Sequence, residues 1–166
     1  MAAAEGSVTA LIPLRQMAGR NSDRENTMDF IRVTENEFDG LRRLQTGYKA
    51  QIGEAAPTEK DFQALLRAVR EGDILFFACT DNGALVGCCS VCPTFSTFDY
   101  GCSGVFEDFY ILPEYRHRGI ARELVRFAFE RSGVSSLTVG CADCDVEMYR
   151  ALGFRVPLGN MLAYGE

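Results

Sequence analysis

The stretch from Val105 to Ser132 constrains the fold most, because a strand, a tight turn and a helix follow one another there without a spacer. Val105 to Leu112 is predicted to be a strand that Pro113 ends. Unpaired backbone N–H groups and the positive end of a helix dipole converge at such a turn, which predicts an anion site suited to a pyrophosphate. The helix from about Gly119 to Ser132 carries apolar residues at helical spacing, namely Ala121, Leu124, Val125 and Ala128.

The same turn has a simpler interpretation, as an ordinary strand–helix connection whose basic residues are solvated. Arg116, His117 and Arg118 precede the glycine and add positive charge beside the predicted anion site. Gly119 permits the close approach of a phosphate to the backbone. No Lys-Ser or Lys-Thr pair follows this glycine, which argues against a Walker-type nucleotide loop.

Hydrophobic periodicity and turn signals predict the remaining elements. Further strands are expected at Asp29–Val33, Ile74–Thr80, Ala84–Cys92, Ser136–Cys141, Phe154–Val156 and Met161–Tyr164. Further helices are expected after the capping-box pairs Thr34/Glu37 and Thr58/Asp61, and at Asp145–Leu152. Thr94–Ser103 is predicted to be a loose connection. The order β-α-α-β-β-β-α-β-α-β-β indicates an α/β fold with a mixed sheet.

Residues 1–27 differ from the rest, because they show no sustained hydrophobic period and contain a long polar run. We expect a partly mobile N-terminal extension over 1–27 and a single domain over 28–166, a length that can enclose a sizeable core.

The net charge of -6 opposes a nucleic-acid partner, since proteins of that class usually present a basic face. An acidic surface attracts cations, including protonated amines. No apolar run is long enough to span a bilayer, and nothing basic precedes the short apolar stretch Val8–Leu14. We therefore expect no membrane association, no signal peptide and a cytoplasmic location.

Seven cysteines, an odd number without a secretory signal, indicate reduced thiols. Cys89/Cys92 and Cys141/Cys144 have the C-x-x-C spacing of zinc ligands. The first pair lies in a strand-like run, where alternate side chains point to opposite faces, whereas a zinc knuckle requires a tight turn. The preferred interpretation is therefore small buried cysteines and no metal site.

Two motifs together resemble the GCN5-related N-acetyltransferase (GNAT) family over roughly residues 28–166. The run from Phe109 to Ala121 contains Arg-x-x-Gly-x-Ala and is similar to that family's acetyl-CoA motif, Q/R-x-x-G-x-G/A after a strand. The segment Tyr149-Arg-Ala-Leu-Gly-Phe154 is similar to its second motif, Y-x-x-x-G-F. Either motif alone is weak, whereas both at this spacing with a strand between them are specific.

The resemblance implies a GNAT-like mixed sheet of six to seven strands, with helices on both faces and a V-shaped opening between strands 105–112 and 136–141. It also implies acetyl-CoA as co-substrate. The pantetheine arm would bond to the backbone of Phe109, Tyr110 and Ile111. The pyrophosphate would lie on the turn that comprises Arg116, His117, Arg118, Gly119, Ile120, Ala121 and Arg122.

Catalytic roles follow from the same resemblance. Tyr149 matches the family's general acid, and a tyrosine of pKa about 10 can protonate the departing coenzyme A thiolate. Glu107 and Asp108 begin a Glu-Asp-Phe-Tyr-Ile run similar to the polyamine acetyltransferase branch, and a carboxylate there can bind an ammonium or take its proton. Neighbouring strand residues face opposite sides, so one of the pair is expected to line the site, and Glu107 is favoured. The structural alternatives are a core tyrosine and carboxylates that face water.

The predicted function is the direct transfer of an acetyl group from acetyl-CoA to a primary amine of a small molecule or peptide, without a metal or a covalent acyl-enzyme. A non-catalytic acetyl-CoA-binding or sensor module of the same fold is the alternative. The sequence leaves the acceptor open among polyamines, amino sugars, amino acids and protein N-termini, and it leaves a homodimer open.

Overall fold

The computed structural model describes residues 28–97 and 100–159, which form five strands, four α-helices and three short 3-10 helices. The strands are β1 (Met28–Arg32), β2 (Leu75–Asp81), β3 (Ala84–Ser96), β4 (Gly101–Ile111) and β5 (Leu137–Thr138). The helices are α1 (Phe38–Gln51), α2 (Glu59–Glu71), α3 (Ile120–Ser132) and α4 (Val146–Leu152). Both predicted capping boxes are present, at Thr34/Glu37 and at Thr58/Asp61. None of the helices in these two segments has the length and hydrophobicity needed to cross a bilayer.

The five strands form one mixed sheet in the order β1-β2-β3-β4-β5. The first three pairings are antiparallel, and β4 with β5 is parallel. Asn82 and Gly83 connect β2 to β3 with φ values of 48° and 81°. Two positive φ values in a two-residue loop match the right-handed twist of the strands on either side, so the predicted hairpin is confirmed.

Helices cover both faces of the sheet. On one face, Leu41 and Leu44 of α1 and Phe62 of α2 pack with Phe76 of β2 and Tyr110 of β4. The opposite face carries α3, with α4 at its margin. There Leu124, Val125 and Ala128 of α3 pack with Phe77, Cys89, Val91 and Phe106. The alternation of consecutive residues such as Phe76 and Phe77 between the two cores follows from the two-residue period of a strand.

The structure corrects several of the predicted strand bounds. The predicted loose connection Thr94–Ser103 is wrong in large part, because β3 and β4 stay paired as far as Ser96↔Gly101. The predicted strand Ser136–Cys141 shortens to Leu137–Thr138, and Phe154–Val156 is not a strand. Met161–Tyr164 and the extension 1–27 lie outside the described residues. The described sheet therefore has five strands, and a count of six to seven is not confirmed.

Candidate active site

The strands β4 and β5 are paired over a short length and then diverge. They are paired only at Gly104↔Leu137 and Val105↔Thr138. Beyond Val105, β4 continues to Ile111 with β3 as its one strand partner in the described part of the chain. Backbone N–H and C=O groups need partners, so this open edge, which includes Phe109, Tyr110 and Ile111, can accept hydrogen bonds from a ligand or donate them to it.

The turn after β4, residues 116–122, is here called the anion turn. His117 and Gly119 have φ values of 61° and 82°, in the left-handed region. A Cβ placed on Gly119 would meet no described atom within 4 Å, so the space above this glycine is open. Within the described segments, no side chain caps the N-terminus of α3. The N–H groups of its first turn are therefore available to an anion, and the helix dipole favours one.

Three residues at the end of the anion turn fix its position. Ile120 is buried, and Ala121 packs beside it against the sheet. Arg122 donates a hydrogen bond to the carbonyl of Ala151 at 3.3 Å, which ties the start of α3 to α4. Small and apolar residues at these positions bring the turn close to the strands.

Two of the basic side chains before the glycine, Arg116 and Arg118, have structural partners. Arg116 Nε donates to the carbonyl of Ile111 at 2.8 Å, and its guanidinium lies 5.7 Å from the ring centroid of Tyr110. Arg116 also bonds to the side chain of Gln51 at the end of α1. Arg118 lies over the ring of Tyr115 at 5.1 Å. The guanidinium of Arg116 therefore lies toward α1 and not over the anion turn, where the sequence predicts its positive charge. His117 and Arg118 are exposed.

A β-bulge interrupts β4 next to this open edge. Cys88 pairs with Tyr110 and Ser90 pairs with Glu107, so Cys89 of β3 stands opposite both Asp108 and Phe109. Asp108 occupies the bulge with a φ of 51°. Aspartate and asparagine tolerate this left-handed conformation better than most residues.

The bulge places both carboxylates on the face that α1 covers. The thiol of Cys92 donates to Glu107 Oε2 at 3.6 Å, and Asp108 interacts with Ser90 and with Lys49 of α1. Ser90 and Cys92 are two residues apart in β3 and so share one face. The expectation that only one of Glu107 and Asp108 can line this face is therefore wrong, since the extra residue breaks the alternation. We call this surface the acidic face.

The two carboxylates differ in environment. Glu107 is exposed and Asp108 is half-buried. Desolvation, and after it the neighbouring charge of Glu107, raises the pKa of Asp108 above its ordinary value, while Lys49 opposes the increase. The buried hydroxyl of Ser90 also lowers the pKa of Asp108, and its effect is smaller than that of Lys49. A carboxylate with a raised pKa is a better base near neutral pH.

Tyr149 lies on α4 at the edge of the α3-side core, where its ring meets Phe154 edge to face at 5.8 Å. Partial burial, followed by Tyr48, Asp145 and Cys141, raises the pKa of Tyr149 to about 12. The hydroxyl is therefore protonated throughout the neutral range and is available as a donor.

Tyr48 of α1 is a site residue that sequence reasoning missed. Its pKa is raised, first by burial and then by the charge of Asp108, and it acts in turn on Tyr149. Its ring centroid lies 6.4 Å from that of Tyr110. A Cβ on Gly47 would lie 2.9 Å from the Tyr110 hydroxyl, so this glycine allows α1 to approach β4. The sequence around Tyr48 carries no signal for its electrostatic interaction with both Asp108 and Tyr149.

The cysteines of the two C-x-x-C pairs differ in burial. Cys89 is buried, as expected, and Cys92 is partly buried, whereas Cys141 and Cys144 are exposed, so the expectation of burial is wrong for the second pair. Outside the pairs, Cys79 and Cys88 are buried and Cys102 is exposed. All seven are free thiols. Over the residues that the structure describes, no three acidic, cysteine or histidine side chains are grouped so that they could hold a metal ion.

A GNAT acetyltransferase domain model matches residues 72–156, more than half of the chain. The chain belongs to the GNAT family of acetyltransferases. This GNAT protein is thus an acyltransferase by family, and the matched region includes the anion turn, both carboxylates of the acidic face and Tyr149. A search of curated proteins gives no match.

Solved structures share the GNAT fold at low identity. An aminoglycoside acetyltransferase from an uncultured soil metagenomic sample, in complex with sisomicin, superposes with a TM-score of 0.73 and 13% identity, over 84% of this chain and 95% of that one. Glucosamine-6-phosphate N-acetyltransferase from Arabidopsis thaliana gives 0.66 and 16%, over 84% and 99%. A predicted acetyltransferase with acetyl-CoA from Clostridium acetobutylicum gives 0.64 and 14%, over 83% and 96%. At these identities, the likeness establishes the fold alone.

The GNAT family uses acetyl-CoA as co-substrate, and the residues of this site suit that molecule. The anion turn offers uncapped N–H groups and open space over Gly119 for the pyrophosphate. The open edge of β4 offers backbone groups for the amide-bearing pantetheine arm.

Proposed function

We propose that this protein transfers the acetyl group of acetyl-CoA directly to a primary amine of a small molecule or peptide. The observation that carries the proposal is the bulge in β4. It presents two carboxylates beside the open strand edge, at the end of the same strand that leads into the anion turn. A thioester held along that edge would meet an amine held at the acidic face.

In this mechanism, the anion turn binds the pyrophosphate and the backbone of Phe109, Tyr110 and Ile111 orients the pantetheine arm. The exposed Glu107 attracts the ammonium of the acceptor. Asp108 takes its proton, directly or through water, because its raised pKa suits a base near neutral pH. The free amine attacks the thioester carbonyl, and a C–N bond forms as the C–S bond breaks.

Tyr149 completes the reaction on the other side of the transferred group. Its hydroxyl donates to the sulfur as negative charge develops there, and it supplies the proton that the leaving thiolate needs. The newly acylated nitrogen loses its extra proton through water, and this proton restores the Tyr149 hydroxyl. The sequence favours Glu107 as the base or the amine anchor on the acceptor side. The half-buried setting of Asp108 supports a division of these two roles, with Glu107 as the anchor and Asp108 as the base.

The proposal is tested by a screen of amine acceptors with detection of released thiol, in which amino sugars, aminoglycosides, polyamines, amino acids and peptide N-termini are compared. We expect acetyl-CoA-dependent thiol release with at least one class and an N-acetylated product by mass spectrometry. Binding of acetyl-CoA by calorimetry, without acetylation of any amine, would instead indicate the sensor module. Absence of acetyl-CoA binding would refute both functions.

A further inference from the structure

We propose that Ser90 is a positioning residue for the base of this reaction, and that its hydroxyl donates a hydrogen bond to the ionised carboxylate of Asp108. The inference rests on the proposed function and deepens it, because it assigns a role in the reaction to a buried residue that does not touch the substrate.

Three residues of β3 carry side-chain donors beneath the acidic face, and we call them the donor row: Cys88, Ser90 and Cys92. They are spaced two residues apart along a strand, so they share the face that α1 covers. The thiol of Cys88 donates to the backbone carbonyl of Asp108 at 3.9 Å. The thiol of Cys92 donates to Glu107 at 3.6 Å. Ser90 lies between them, and its strand partner is Glu107, the residue before Asp108.

The hydroxyl of Ser90 is not explained by packing. Ser90 is fully buried, and its Oγ has no hydrogen bond of normal geometry with any group in residues 28–97 and 100–159. A buried hydroxyl without a partner costs stability, so packing alone would favour alanine here. The charged group with which Ser90 interacts is Asp108. Their contact is therefore long or poorly aligned in the free protein, as catalytic hydrogen bonds often are before the substrate binds.

The bulge gives the carboxylate of Asp108 a need for such a donor. Asp108 is half-buried, so part of its carboxylate loses contact with water. When the group is ionised, a donor from the protein must replace the hydrogen bonds that water would have made. Ser90 supplies an uncharged donor from the buried side. With one oxygen held there, the other oxygen is left for the proton of the acceptor ammonium.

The charged and titratable groups around Asp108 come from β3, β4 and α1. Desolvation raises the pKa of Asp108 most, and Glu107 of β4 raises it further. Lys49 of α1 and the Ser90 hydroxyl lower it. Burial raises the pKa of three further groups, which stay uncharged near neutral pH: Tyr48 of α1, and Cys88 and Cys92 of β3. Because the hydroxyl favours the ionised carboxylate, its loss should raise the pKa of Asp108 further.

The test is Ser90→Ala, with rates measured over a pH series on a confirmed acceptor. Asp108 must be ionised to take a proton, so the rate falls as the pH drops below its pKa. In Ser90→Ala this acidic limb should move to higher pH, and turnover at pH 7 should fall about tenfold. The KM of the amine should stay the same, since Glu107 is unchanged. The variant should unfold at the same or a higher urea concentration, because it no longer buries an unpaired hydroxyl.

Thr80→Val is the matched control. Thr80 is a buried hydroxyl of the neighbouring strand β2, and it donates to the carbonyl of Asp29 in β1 at 3.5 Å. Valine keeps the shape of the side chain, so the pH profile should stay as in the parent while stability falls. A second control places Ser90→Ala in the Asp108→Asn background. Turnover there should not fall further, because the two residues act as one unit.

Titration of the Asp108 carboxyl by carbon NMR, assigned by its loss in Asp108→Asn, needs no acceptor. We expect a higher pKa for this carboxyl in Ser90→Ala than in the parent. An unchanged pKa, an acidic limb that does not move, or an equal loss of turnover in the Asp108→Asn background would overturn the inference. A raised pKa without acetylation of any amine would refute the proposed function and leave the bond between Ser90 and Asp108 standing. Acetylation with a pH profile that Ser90→Ala does not change would do the reverse.

Discussion

The anion turn follows directly after β4, the strand that carries both carboxylates of the acidic face. The two sites nevertheless differ in origin, because the anion turn comes from one continuous segment and the acidic face from three segments that are distant in the sequence. The anion turn is made of backbone N–H groups from consecutive residues, with Gly119 in the left-handed region. The acidic face combines side chains of β3, β4 and α1, and a bulge orients them. We therefore expect the anion turn to tolerate many changes of side chain but no change of backbone conformation. The acidic face should instead be sensitive to substitution of the side chains that form it.

The largest effect is expected from substitution of Tyr149, because its hydroxyl is needed for turnover but not for the binding of acetyl-CoA. Tyr149→Phe keeps the ring that packs on Phe154, so the affinity for acetyl-CoA should change little. Turnover should fall by about a hundred- to ten-thousand-fold, the range of general acid catalysis. Steady-state kinetics with a confirmed acceptor provide the measurement. Tyr100→Phe, on a residue that is 81% exposed, is the control. Full turnover in Tyr149→Phe would exclude the tyrosine from the reaction.

The next largest effects are expected at the two carboxylates, where substitutions should change different kinetic constants. Asp108→Asn should lower turnover by about a hundredfold, because the base is lost. Glu107→Gln should mainly raise the KM of the amine, by about tenfold, because an exposed charge attracts the ammonium without taking its proton. Rates over a pH series distinguish the two. If Glu107→Gln had the larger effect on turnover, the roles of the pair would be exchanged.

The third prediction tests the backbone conformation of the anion turn. Gly119→Val should weaken coenzyme A binding at least tenfold, since a branched side chain disfavours a φ of 82° and fills the open space over the turn. Gly72→Val is the matched control, because Gly72 has a φ of 81° and ends α2 away from the site. Calorimetry should show a loss of affinity in the first variant alone. Equal affinity in both folded variants would remove the turn from the cofactor site.

A smaller effect concerns stability and its dependence on pH. The raised pKa of Asp108 means that the folded state holds this proton to a higher pH than the unfolded chain does. Ionisation of Asp108 therefore costs stability. The cost is absent below about pH 4, the ordinary aspartate pKa, and is fully present above the folded-state pKa.

Asp108→Asn removes that cost, and asparagine tolerates the φ of 51°. Urea unfolding should show the variant to be more stable than the parent at pH 8, with the difference shrinking toward pH 4. A difference that grew as the pH fell would show that the carboxylate is stabilised in the folded state instead.

The smallest effect is expected from removal of residues 1–27. We propose that the domain comprises residues 28–166, so a chain that begins at Met28 should fold and bind coenzyme A with unchanged affinity. Unfolding curves and calorimetry of the shortened chain provide the check. A shortened chain that fails to fold would make the extension part of the domain.

The sequence by itself determined the parts of this protein that depend on local chemistry. Capping boxes at Thr34 and Thr58, the Asn82–Gly83 hairpin and the turn before α3 each follow from the conformational preferences of a few adjacent residues. The family motifs lie in the same kind of segment, because a phosphate site made of backbone N–H groups needs glycine and small residues at fixed spacing.

Only the tertiary structure decided what depends on pairing between distant segments. The register of β3 against β4 created the bulge that turned Asp108 onto the same face as Glu107, and the alternation rule could not anticipate an inserted residue. The early parting of β5 from β4 likewise depends on which strands pair, not on their composition. Tyr48 belongs to a helix whose sequence indicates only which face packs on the sheet. Its interaction with Asp108 exists because α1 packs across strands that are far away in the chain.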